Sequence, residues 1–241
     1  MSIATPIMTA EQFHTLIGWL MTFMQFSILV PMVVVWRRRR HFSPPVQVLS
    51  WYVYISAFFA LGARLSAIYL HNNLFFIIGF NVAKVLLFVA VYRLVLIGQR
   101  TRRVLAITTL VALGTVAASL ALSLGHAMAV SRVVQCTLLA GFALMYLEQK
   151  LNQFSEQRFS NDPIWLLGVG QLIYSAATVS GFSLEILFPF NETIITYFSM
   201  LSTSLASLVF NCFITVAFLR ATPGALVPVA VPDSKSQLVI S

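Results

Sequence analysis

Charge is the first thing this chain lacks. Only 9% of its 241 residues are charged, against roughly a quarter in soluble domains, so a conventional water-exposed surface is excluded. Acids are scarcer still, 7 against 15 lysines and arginines, which leaves little for paired-carboxylate chemistry. Cysteine occurs twice, as Cys136 and Cys212, each inside a long apolar run. Neither a disulfide framework nor a CxxC metal site can form, and both are expected as buried apolar thiols. His14, His41, His71 and His126 occupy separate segments with no HExxH or HxxxH spacing, and there is no glycine-rich phosphate loop. Together these absences point to a non-enzymatic protein that uses no cofactor and binds no metal.

What is abundant is hydrocarbon. Hydrophobic residues make up 59% of the chain, gathered into seven runs near 13–36, 47–70, 74–97, 104–124, 127–148, 163–187 and 193–219. Each matches the roughly 20 residues needed to cross a bilayer core of about 30 Å. Backbone amides in hydrocarbon must be satisfied within the segment, so the runs are helices. The fold class is all-α, a polytopic bundle of seven transmembrane helices in one domain over 13–220. A tail over 1–12 precedes it and a Pro-containing tail over 221–241 follows. The first run is expected to be retained, since it is too long for a signal peptide and no basic residue precedes it.

The basic residues settle on one side of this bundle. Arg37 to Arg40 follow the first span, Arg100, Arg102 and Arg103 the third, Lys150 and Arg158 the fifth, Arg220 and Lys235 the seventh. The alternate connections, at His71-Asn72-Asn73, Gly125-His126 and Pro189 to Glu192, contain no lysine or arginine. The positive-inside rule therefore predicts an outer N-terminus and a cytoplasmic C-terminus, and the short outer loops such as HNNLFF with arginine-rich inner ones resemble those of bacterial inner-membrane proteins, so a plasma (inner) membrane of bacterial type is expected. The rule also accounts for the net charge of +8 without nucleic acid. Trp36, Trp51, Tyr92, Tyr146 and Trp165 are expected as an aromatic belt at the inner interface, with Tyr69 and Tyr197 at the outer one. Asn161-Asp162-Pro163 reads as a helix cap followed by an N1 proline. Pro31 should bend the first helix, and Gly114, Ala117, Ala118 and Ala121 should make the fourth a packing element.

The informative residues are the polar ones inside the spans. Lys84 interrupts the run FNVAKVLLF near the middle of the third span, where insertion of a charge costs about 2.5–3.5 kcal/mol. Arg64 lies about two turns below the outer end of the second span and Arg132 about one turn into the fifth. The one acid available to them is Glu185. Asn81, Lys84, Phe88 and Tyr92 share a helical face, as do Gln171, Tyr174, Ser175, Thr178, Gly181 and Glu185 on the sixth span. The seventh span adds Ser199, Ser202, Thr203, Ser207 and Asn211, and the fifth adds Gln135. Polar faces turn inward in lipid, so an interior opening to the outside is expected. Its ligand-binding candidates are Lys84, Arg64, Arg132, Glu185, Asn81, Gln171, Thr178 and Asn211. The plainer reading pairs Lys84 with Glu185 and sends Arg64 and Arg132 to the outer headgroups.

Family motifs do not decide between these readings. A microbial rhodopsin carries its retinal on a lysine of the last helix, where this chain has none. A G-protein-coupled receptor would have an acid-Arg-Tyr triplet where Val91-Tyr92-Arg93 stands. The three-one-three repeat of PQ-loop sugar carriers finds no counterpart for Lys84. The function expected is a receptor or sensor that binds a small anion in the polar interior and signals to a cytoplasmic or membrane protein partner. The alternatives are an accessory subunit of a larger membrane complex and a carrier for a small anion.

Overall fold

The computed structural model describes residues 10–153, 162–187 and 192–221, with side chains from Thr15 onward apart from 153, 184–187 and 192–196. Residues 1–9 and 222–241 of the tails, 154–161 of the loop from Glu148 to Asp162, and the side chains of Glu185 and His14 lie outside the described residues, and α1 begins within the span expected as the first tail. The elements are α1 (Ala10–Ser27), α2 (Leu29–Arg38), a 3-10 turn (Arg39–His41), α3 (Pro44–Tyr69), α4 (Leu74–Val95), α5 (Gln99–Leu120), α6 (Leu124–Gln153), α7 (Pro163–Leu187) and α8 (Glu192–Arg220). No strand occurs among the described residues. Seven segments are long and apolar enough to cross a membrane, α1 and α2 together forming the first.

Local chemistry explains where the helices bend and start. Pro31 has no N–H to offer the Ser27 carbonyl, and the helix breaks at Ile28, between α1 and α2. Ser27 Oγ donates to the Met24 carbonyl of its own helix at 2.6 Å, and the break is secured from outside by Asn211 of α8, whose Nδ2 donates to Ser27 Oγ at 2.7 Å. Pro44 and Pro45 occupy the first turn of α3, where a missing N–H costs nothing. Gly98 turns the chain into α5 with φ of +104°, a value that glycine adopts without steric cost. Asp162 caps α7, its Oδ1 accepting the Ile164 and Trp165 amides at 2.9 and 3.3 Å. Its Oδ2 accepts the Tyr146 hydroxyl at 2.7 Å and meets Lys150 Nζ at 3.1 Å. Asp162→Ala removes all of these and leaves a buried phenol unpaired. We expect it to lower stability by about 2–3 kcal/mol in denaturant titration of the purified protein.

The arginine-bearing end is tied together by side chains. Arg38 donates to the Leu219 carbonyl near the end of α8, Gln149 Oε1 accepts the Ile97 amide at 3.0 Å, and Arg102 Nε donates to the Leu96 carbonyl at 3.0 Å. Beside it Phe88, Tyr92, Phe142, Tyr146 and Phe210 pack ring to ring in the buried core. Two belt expectations are corrected here. Tyr92 and Tyr146 are 0% and 1% exposed, because their helix faces point at α4–α6 neighbours and not outward. Trp36 and Trp51 are exposed as an interfacial belt requires, Trp51 beneath the Arg39 guanidinium at 4.7 Å.

Two further expectations fail for the same geometric reason. On α5 the buried stripe is Leu105, Thr109, Ala112, Val116 and Ser119, which packs toward α6 and α4. The small residues Gly114, Ala117, Ala118 and Ala121 lie on the opposite, exposed face. Cys136 is buried, but Cys212 is exposed. The close helix approach is made instead by α7 and α8. A Cβ at Gly170 would lie 2.6 Å from the Phe213 Cβ, and one at Gly181 would lie 3.3 Å from the Ser199 Cα.

Candidate functional site

Lys84 is fully enclosed, with 1% exposure, at the middle of α4. Its ammonium nitrogen sits 3.8 Å from the ring centre of Tyr174, 4.7 Å from Phe210 and 5.8 Å from Tyr52. Ring faces carry negative charge density, and a desolvated cation within about 6 Å gains about 2 kcal/mol from such contact. That offsets much of the insertion cost without a carboxylate. No described acid reaches the amine. Glu185 stands eleven residues beyond Tyr174 on α7, which is about 16 Å along the axis. The lysine is held by an aromatic box contributed by α3, α7 and α8.

The box adjoins a cavity of about 230 Å³, which is bounded by α1, α3, α4, α7 and α8, and Lys84, Tyr52, Tyr174 and Phe210 all line it. Phe59, Phe76 and Phe80 supply further apolar wall, while Ser56, Ser207, Asn211 and Gln25 supply neutral polar groups. Such a balance, an apolar lining with few polar groups and one cationic one, is the usual composition of a small-molecule pocket.

Behind Lys84, toward α6, lies a buried polar layer. Asn81 Nδ2 donates to Ser131 Oγ at 3.0 Å, and Gln171 Nε2 donates to Ser175 Oγ at 3.2 Å. Gln135 Nε2, Gln171 Oε1 and Thr178 Oγ1 have no hydrogen-bond partner although they are buried, and Gln135 and Thr178 both neighbour Tyr174. Both Gln135 and Thr178 lie within hydrogen-bonding reach of the Tyr174 hydroxyl, so a small rotation of either side chain brings it onto the ring that faces Lys84.

The candidates named from the sequence are therefore divided by the structure. Lys84 and Asn211 line the cavity. Asn81, Gln171 and Thr178 are buried in the layer behind it. Arg64 is exposed and Arg132 half-buried, and neither reaches the cavity wall. The side chain of Glu185 lies outside the described residues. The aromatic walls were missed, Tyr52, Phe59, Phe80 and Phe210 above all. The signal for them is that a lysine in hydrocarbon needs rings at its own depth, a pairing across helices that spacing within one helix does not display.

What fold and site define together is a helical bundle built for an apolar surrounding, with a buried lysine at the wall of a partly open cavity. Beyond that class no comparison adds a relative: family models, curated proteins and solved structures all return no match.

Proposed function

We propose that this is an integral membrane receptor that binds a small anionic ligand in the cavity above Lys84 and passes the event to its arginine-rich, cytoplasmic end. The observation that carries the reading is a buried lysine, Lys84, at the wall of a cavity with no described carboxylate to neutralise it. Aromatic faces stabilise the cation, but they cancel none of its charge, and an anion in the cavity would. Intramembrane cations are rare, face the bundle interior and mark substrate and ion paths.

A route to the cytoplasmic side supports the signalling half. The cavity wall includes Met24, Gln25 and Ile28, at the break above Pro31, and Asn211 lines the cavity while bonding Ser27. Pressure on that wall bears on the joint from which α2 departs, and α2 carries Arg37 and Arg38 into the side held against Leu219. Ligand occupancy and the position of the arginine cluster are thereby linked through one hinge. A hinge of a few residues is a recurrent device for such coupling.

Thermal unfolding in lipid nanodiscs tests the binding half. Small organic anions such as benzoate are expected to raise the transition temperature of the intact protein, and Lys84→Met is expected to abolish that rise. A Lys84→Met protein that is stabilised by anions as strongly as the parent would make the amine a structural charge only. Uptake of the same labelled anion into proteoliposomes separates receptor from carrier: a receptor shows binding with no accumulation.

A further inference from the structure

Resting on that anion-binding reading, we propose that the ligand is an acyl monocarboxylate that enters sideways from the bilayer, between α1 and α3, with its carboxylate on Lys84 and its chain among the phenylalanines. Three observations carry this. The first is size. A cavity of 150 Å³ holds benzene, so the about 230 Å³ found here accepts roughly nine non-hydrogen atoms by the same measure. That is the head and first several methylenes of a fatty acid, and more than a bare inorganic anion needs.

The second is the distribution of polarity. Phe59, Phe76 and Phe80 line the cavity away from the amine and offer nothing to a second charge, so one anionic group with an apolar body fits where a polyanion does not. Asn211 uses one amide hydrogen on Ser27 and keeps another for a carboxylate oxygen.

The third is the position of the mouth. Among the lining residues, Gln25 and Ala60 are the exposed ones. Gln25 lies near the middle of the apolar span Thr15–His41, and Ala60 near the middle of Pro44–Tyr69. Phe23 and Phe26 beside Gln25 are 63% and 58% exposed, as lipid-facing rings are. An opening at that depth meets acyl chains and not water. This differs from the outward opening expected of the polar faces. A hydrophilic anion would have to cross hydrocarbon to reach it, whereas a fatty acid dissolves there in its neutral form. Inside, the neutral acid gives its proton to the amine in its uncharged form, and the product is one carboxylate–ammonium pair with no net charge.

The test uses the full-length protein in nanodiscs of zwitterionic lipid, with acetate, inorganic phosphate, octanoate and hexadecanoate as probes and thermal stabilisation as the readout. Octanoate is expected to bind at least about tenfold more tightly than acetate, given the contribution of each buried methylene, and Lys84→Met is expected to lose that binding. Ala60→Trp, which fills the mouth far from the amine, is expected to weaken hexadecanoate much more than octanoate, because only the longer chain must protrude. If acetate or phosphate stabilises as well as octanoate and still depends on Lys84, the acyl assignment fails and the anion site stands. Should no probe show any dependence on Lys84, both fail. If Ala60→Trp leaves hexadecanoate unaffected, entry between α1 and α3 is wrong.

Discussion

Tyr174→Ala is expected to destabilise the ligand-free protein by about 3–5 kcal/mol, the range for emptying a buried aromatic site, and by about 1–2 kcal/mol less when Lys84 is already Met. The difference is the energy of the ammonium over the ring face, which stands 3.8 Å away in a setting without water. Removing the ring leaves the cation with Phe210 and the more distant Tyr52. A double-mutant cycle on unfolding free energies, measured by denaturant titration in mixed micelles, isolates this quantity. Equal costs in both backgrounds would mean that the lysine does not depend on the box, and the account of how its charge is tolerated would have to be abandoned.

The second large effect is expected at the α7–α8 contact. Gly170→Ala places a Cβ within 2.6 Å of the Phe213 Cβ. That atom is fixed to the α8 backbone, so no rotamer change relieves the clash and the helices must part. Overpacking of this kind costs about 1–3 kcal/mol, and Gly170→Leu should prevent assembly of the bundle altogether. Gly114→Ala provides the contrast, because no atom lies within 4 Å of a Cβ there and alanine is the better helix former by about 1 kcal/mol. It should therefore be neutral or mildly stabilising. Thermal unfolding of the two alanine variants side by side is sufficient, and a Gly114 variant as damaged as the Gly170 one would argue that the α5 face is not free.

These contrasts show why some readings of the sequence succeed and others miss. Pro31 announces its break because the missing N–H acts within its own helix, and Asp162-Pro163 announces the start of α7 for the same reason. Lys84 is conspicuous because no local arrangement makes a midspan charge cheap. Gly114 and Gly170 look alike in one dimension, and only the neighbouring helix distinguishes an approach from an open face. Tyr92 and Tyr146 were misplaced because depth along a helix is legible while the direction of a face around it is not, once nearly every position is apolar. Amphipathicity, the usual guide to facing, is muted when lipid and core are equally greasy.

By itself the amino-acid order settled the helical class, the seven apolar segments long enough to span, the clustering of basic residues in alternate connections, and the anomaly at position 84. Each of those follows from hydrogen-bonding need or charge, quantities that belong to a residue or a run. The tertiary structure alone decided what surrounds the ammonium, that Tyr52, Tyr174 and Phe210 answer it in place of an acid, that a cavity remains beside it, and that Arg64 and Arg132 do not line that cavity. Those depend on contacts between helices far apart in the chain, where packing selects among faces that hydrophobicity leaves nearly equivalent.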